Sequence, residues 1–127
     1  MKYYRLYINT DGTFEMYSKI TEVLGVQPTT FSKTKFSHNP YAFWAYCVDF
    51  EDEYSFDFIN IFLDILEPKF DALEKIGITN KDILFWLIYE YDQQCAMEFH
   101  PQEMKRLGEL GISLNIDCHE IKSLSID

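Results

Sequence analysis

The sequence predicts an α+β domain of two layers, in which three helices pack on a five-stranded, mainly antiparallel sheet. Three observations carry that prediction. Segments of strict apolar alternation interchange with segments whose apolar residues recur every three to four positions. Glycine and proline punctuate the junctions. The length, 127 residues of which 47% are apolar, suits one domain with a core of its own. The order read from these patterns is β-α-β-α-β-β-α-β, as a single domain over 1–127.

Lys2–Asn9 alternates, with Tyr4, Leu6 and Ile8 on one face and Tyr3, Arg5, Tyr7 and Asn9 on the other, which is the pattern of a half-buried strand. Asp11 or Thr13 then caps a helix over 13–24, with Glu15 in its first turn, Phe14, Tyr17, Ile20, Val23 and Leu24 on its apolar stripe and Gly25 as its stop. Residues 26–40 hold Pro28, Pro40 and many Ser, Thr and Lys residues, and read as a long connection crossing an edge of the sheet. Tyr41–Phe50 is apolar on both faces, so it is expected at the centre of the sheet. An acidic turn, Glu51 to Tyr54, leads to Ser55 as N-cap of a long amphipathic helix. Its stripe is Phe58, Ile61, Phe62, Ile65, Leu66, Phe70, Leu73 and Ile76, and it stops at Gly77. Pro68 cannot donate to the carbonyl four residues back, so a kink or break is expected near 67.

Asp82–Tyr91 reads as a strongly apolar strand, Asp92-Gln93-Gln94 as a hairpin connection, and Cys95–Phe99 as its antiparallel return. His100-Pro101 opens the third helix, which buries Met104, Leu107 and Leu110 and ends at Gly111. In the last strand Ile112, Leu114, Ile116 and Cys118 face in while Ser113, Asn115, Asp117 and His119 face out. Three helices cannot cover both faces of such a sheet. One face is therefore solvated or binds something.

Composition excludes several classes of function. The chain carries 21 acidic and 11 basic residues, net −10, with a pI near 4.6. Nucleic acid and anionic membrane are therefore not expected as direct partners, because phosphate neutralisation needs Lys and Arg. The longest apolar run, 83–89, is far below the ~20 residues of a membrane span. The opening residues lack a signal-peptide core, so the cytoplasm is the expected compartment. Cys47, Cys95 and Cys118 form no C-x-x-C pair and read as reduced, packed thiols.

Motifs for chemistry are sparse. His38, His100 and His119 are scattered, and Cys118-His119 point to opposite faces of a strand, so no metal and no cofactor is expected. Cys95, His100 and Asp117 could approach one another, yet Cys95 sits among apolar residues of an acidic chain, where core packing is favoured over an activated thiolate. The sequence contains no G-x-S-x-G, P-loop or G-x-G-x-x-G.

The acids are more informative. Between Phe36 and Pro68 there is no Lys or Arg, while Asp49, Glu51, Asp52, Glu53, Asp57, Asp64 and Glu67 all fall there. Asp57, Asn60, Asp64, Glu67, Asp71 and Glu74 recur at helical spacing and form one stripe. The plain reading is the polar face of an amphipathic helix. The sharper reading is a steering surface for a basic protein, since clustered charge speeds encounter. The aromatic residues Trp44, Tyr46, Trp86, Tyr89 and Tyr91 either close the core or serve an interface or cleft, where Trp and Tyr dominate binding.

Several short motifs together resemble a family of small bacterial proteins labelled domain of unknown function 4279. They are Leu24-Gly25-x-x-Pro28-Thr29, Trp44 in the second strand, Leu66-x-Pro68-Lys69, and the run from Phe99-His100-Pro101 through Met104, Leu107, Leu110-Gly111-Ile112, Leu114 and Ile116-Asp117. That family usually has an aromatic residue where this chain has His119. The resemblance implies the same α+β fold and no established catalysis, so it transfers no active-site residue. In size, charge and style the chain is also similar to immunity proteins of bacterial toxin systems.

The leading expectation is a non-enzymatic binding protein, an immunity protein that occludes a basic toxin domain, possibly a nuclease. Asp49, Glu51, Asp52, Glu53, Asp57, Asp64, Glu67 and Asp71 would steer it, and Tyr54, Trp44 and Trp86 would supply buried contact. The alternatives are a small-ligand or enzymatic domain using Arg5, Asp117 and His119 on an aromatic sheet face, and a homodimer through that face. The free protein is expected as monomer or homodimer.

Overall fold

A computed structural model describes residues 2–29, 39–50, 56–92 and 96–121. Strand β1 (Lys2–Asn9) leads into helix α1 (Phe14–Leu24), and β2 (Phe43–Phe50) follows. Helix α2 (Phe58–Leu66) passes through a 3-10 turn (Glu67–Lys69) into α3 (Phe70–Lys75). A second 3-10 turn (Asn80–Asp82) precedes β3 (Ile83–Tyr91), and α4 (Pro101–Glu109) connects it to β4 (Ser113–Glu120). The α+β class stands, with the second helical unit broken at Pro68 as its missing N–H requires.

Local signals account for the helix ends. The Thr13 hydroxyl accepts from the Met16 N–H at 3.1 Å, and Asp11 accepts in turn from the Thr13 hydroxyl at 2.6 Å. Gly25 closes α1 in the left-handed conformation, φ 72°. The cap of α2 is Asp57, whose carboxylate accepts from the Asn60 N–H. Ser55, the expected cap, lies outside the described residues.

The sheet corrects two expectations. It has four strands among the described residues, in the order β2-β1-β3-β4, with β1 antiparallel to both neighbours and β3 parallel to β4. The fifth strand expected over Cys95–Phe99 is not one: residues 96–100 join no ladder, and Cys95 itself is outside the described residues. Met97 and Phe99 alternate because they pack down onto the core beneath the helices. The β3–α4–β4 passage is thus a crossover between parallel strands, which needs a helix where a hairpin would not.

The second correction concerns β2, expected at the centre and found at the edge. Its outer edge is not bare: it is capped by Thr29, whose N–H donates to the Ala45 carbonyl at 2.7 Å and whose hydroxyl accepts from the Cys47 N–H at 3.1 Å. The expected edge crossing by 26–40 is therefore seen at Thr29, and residues 30–38 lie outside the described residues. The core sits between the sheet and α1–α4. Tyr4, Leu6, Ile8, Trp44, Ile83, Phe85 and Leu87 meet Ile20, Phe58, Ile59, Phe62, Leu63, Leu66 and Leu73 there.

Candidate interaction surface on the open sheet face

Because side chains alternate along each strand, the residues between those core positions point to the side away from the helices. Register places them in rows across the sheet. Ala45, Tyr7, Leu84 and Ser113 form one row, and Cys47, Arg5, Trp86 and Asn115 the next. Asp49, Tyr3, Ile88 and Asp117 form a third, and Glu90 with His119 extends it at the end of β3 and β4. Arg5 and Trp86 occupy the middle. Tyr3, Tyr7, Trp86, Leu84 and Ile88 are half-buried, so this face is an apolar and aromatic platform with acids gathered at one end.

The platform is held in place by its own contacts. The Arg5 guanidinium donates to the Tyr7 hydroxyl at 3.2 Å and lies 5.6 Å from the centre of the Tyr3 ring. The Tyr7 ring stacks on Phe43 at 5.9 Å. Burial works against the charge on Arg5, but the bond to Tyr7 and the nearby Cys47 and Asp49 leave its pKa above the ordinary value. Burial, the hydrogen bond to Glu90 and the charges of Glu90 and Asp49 together raise the Tyr3 phenol. The Cys47 thiol is pushed up to about 11, chiefly by burial, so at neutral pH it is a packed apolar group and not a nucleophile. At the far side the Asn115 amide reaches the Phe85 carbonyl at 3.4 Å, and His119 Nε2 lies 3.1 Å from Asp117.

The residues expected to form one binding surface do not share a face. Asp49 and Trp86 lie on the open sheet face. Asp57, Asp64, Glu67 and Asp71 belong to α2, α3 and the turn between them, on the opposite side of the molecule. Glu51, Asp52, Glu53 and Tyr54 lie outside the described residues.

Trp44 is a correction: it is fully buried, its indole N–H donating to the Thr21 hydroxyl at 3.0 Å, and it has no surface to offer a partner. Parity decides this, since Trp44 is opposite Ile8 and Trp86 is opposite Arg5.

The helical acids are also less exposed in charge than the sequence implied. Arg106 of α4 reaches across to donate to Asp64 at 2.8 Å, Glu67 at 3.0 and 3.1 Å and the Asn60 side-chain Oδ1 at 3.0 Å. Burial opposes the Arg106 charge, but the two carboxylates outweigh it and its pKa is raised. Asp57 spends its carboxylate on the cap of α2. The base-free stretch is answered by a base from 42 residues away, so the stripe is largely structural.

The alternative constellation of Arg5, Asp117 and His119 is split as well. β3 lies between β1 and β4, placing Trp86 and Ile88 between Arg5 and that pair, roughly 10 Å of sheet. A cavity of about 690 Å³ opens on the helix side, where Tyr4 and Phe58 meet Phe99 and His100, and not on the platform.

Two features of the platform escaped sequence reasoning. Glu90, which closes the acidic end, is the one polar residue of an apolar run and shares parity with Trp86. Tyr3 and Tyr7 flank Arg5 at two-residue spacing, a signal of a cation set between rings.

The family model described as domain of unknown function (DUF4279) matches residues 6–120. No curated protein and no solved structure matches.

Proposed function

The chain belongs to the family described as domain of unknown function (DUF4279), and from that premise we propose that it is a non-enzymatic acidic binding protein, an immunity protein that neutralises a basic toxin domain. The binding surface in this reading is the open sheet face. The observation that carries it is the half-buried platform around Trp86 with Asp49, Glu90 and Asp117 gathered at one end. Aromatic rings there give desolvated contact area at low entropic cost, and carboxylates at the margin steer a basic partner. The net charge of −10 gives that steering a long-range field.

Co-expression with the toxin domain encoded directly upstream of its gene tests the reading. Protection is the expected result, and failure to protect sinks it. On the purified pair, Asp49→Lys with Asp117→Lys is expected to slow association by about tenfold at low salt and to leave dissociation nearly unchanged. Trp86→Ala is expected to accelerate dissociation instead. An association rate indifferent to salt and to charge reversal removes the acidic margin from the mechanism.

A further inference from the structure

The cavity of about 690 Å³ on the helix side lies where four parts of the chain converge: the start of β1, the entry to α2, residues 96–100 and the first turn of α4. Its volume is that of a small-molecule site. The inner wall is aromatic. The Tyr4 ring meets Phe56 at 5.2 Å and Phe58 at 5.0 Å, and Phe58 meets Phe99 at 6.3 Å, so the four rings form one connected wall. Tyr4 and Phe58 are buried at its base, while Phe56 and Phe99 are half-buried.

The rim is acidic. Asp57, Glu98 and Glu103 line it, and Lys2 is the one Lys or Arg among the described lining residues. Two helices begin here, and the positive end of a helix ordinarily draws an anion. Each end is answered from the chain itself. Asp57 accepts from the Asn60 N–H at 3.3 Å, and Glu103 accepts from the His100 N–H at 2.9 Å. An incoming anion therefore meets carboxylates already seated where it would bind. The Lys2 ammonium lies 5.0 Å from the centre of the Tyr89 ring, which is not part of the lining. A carboxylate has about four acceptor sites, so Asp57 and Glu103 keep capacity for a further donor, and Glu98 is exposed.

We propose that this cavity binds a small organic cation, an amine or quaternary ammonium carried on an apolar body. Its charge lies at the three carboxylates and its body against Phe56, Met97 and Phe99. Charge complementarity selects the occupant, and aromatic rings add to it, since they attract a cation within about 6 Å of their centres. The site faces the helices, beside Tyr4 and Leu87, whereas the platform around Arg5 and Trp86 has the opposite parity on the same strands. It is thus separate from the proposed partner surface and does not rest on that reading.

Amide NMR titration of the full chain with benzyltrimethylammonium, benzyl alcohol and phenylacetate tests this, because the three probes share a benzyl body and differ in charge. The expected result is saturable shifts with the cation at residues 56–60 and 96–103, and an affinity at least about tenfold above that of the alcohol. Phenylacetate is expected not to bind in the millimolar range. Glu98→Gln with Glu103→Gln removes two charges and keeps a side-chain acceptor at the cap of α4. It is expected to weaken the cation by about tenfold and to leave the alcohol unchanged. Phenylacetate binding more tightly than the cation overturns the inference, because the helix ends would then govern the site. Equal affinity for cation and alcohol overturns it as well, and so do shifts confined to the platform or no saturable shift at all. Should the double variant fail to fold, the order of the three probes on the unaltered chain decides.

Discussion

The two tryptophans sit on opposite sides of one sheet and have opposite environments. Trp44 is fully enclosed between β2 and α1, with its one polar atom satisfied by Thr21. Trp86 is half-buried, beside Arg5 and Asn115, on a face that no helix among the described residues covers. Both come from strands apolar on each side, so composition does not separate them. What separates them is the step of two along the strand, set against which side the helices took. The helix-covered side is where stability is concentrated, and a change on the open side is expected to cost the fold less.

The largest expected effect draws that line directly. Trp44→Ala should cost about 3–5 kcal/mol in urea unfolding, the range for large aromatic deletions in a packed core. Trp86→Ala should cost roughly 1–2 kcal/mol, since less of its surface leaves water on folding. Equal losses at the two positions would erase the contrast.

Next comes the polar anchor of the buried indole. Thr21→Val removes the hydroxyl that accepts from Trp44 and leaves a buried N–H unpaired, at an expected cost of about 1–3 kcal/mol in the same assay.

The open face should reveal itself in alkaline titration. Cys47 is held near 11 against an ordinary value of 9, so the folded state keeps its proton where the unfolded chain has lost it. Stability from this group is fully present below pH 9 and is lost as pH rises from 9 to 11, with a slope of at most about 1.4 kcal/mol per pH unit. Cys47→Ala should flatten that slope in melts across the window, leaving the share that belongs to the raised phenols of Tyr3, Tyr4 and Tyr17.

The smallest effect is on the helical side. Arg106→Ala should cost about 0.5–1 kcal/mol, because its carboxylate partners are largely exposed and the pairs are screened. The loss should shrink further at high salt.

Much of the fold was legible because it depends on short-range pattern. The cap at Thr13, the stop at Gly25, the break at Pro68 and the alternation of β1 are each written within a few residues, whereas Ile116 and Cys118 of β4, expected to face in, are exposed. The misreadings share one cause, which is distance along the chain. Met97 and Phe99 alternate as a strand would, and only the parallel mating of β3 with β4 shows that the intervening segment must cross over. Tyr41–Phe50 reads as central because nothing nearby announces that Thr29 will close its edge. The acids of α2 look unanswered because Arg106 lies 42 residues from Asp64. The proposed surface is half legible in the sequence: Trp86 and Asp49 stand out there, but only register joins them to Tyr3, Glu90 and Asp117.

The strand order has a consequence for synthesis. β1 precedes both of its neighbours in the chain, yet it is bonded on each side, to β2 and to β3. At translation rates of about 5–20 residues per second, the start of β3 follows the end of β1 by roughly 4 to 15 s. For that interval Tyr4, Leu6 and Ile8 leave the ribosome without the partners that will cover them. The nascent chain is then at its stickiest, and a holding chaperone on the first strand has its window before residue 91 emerges.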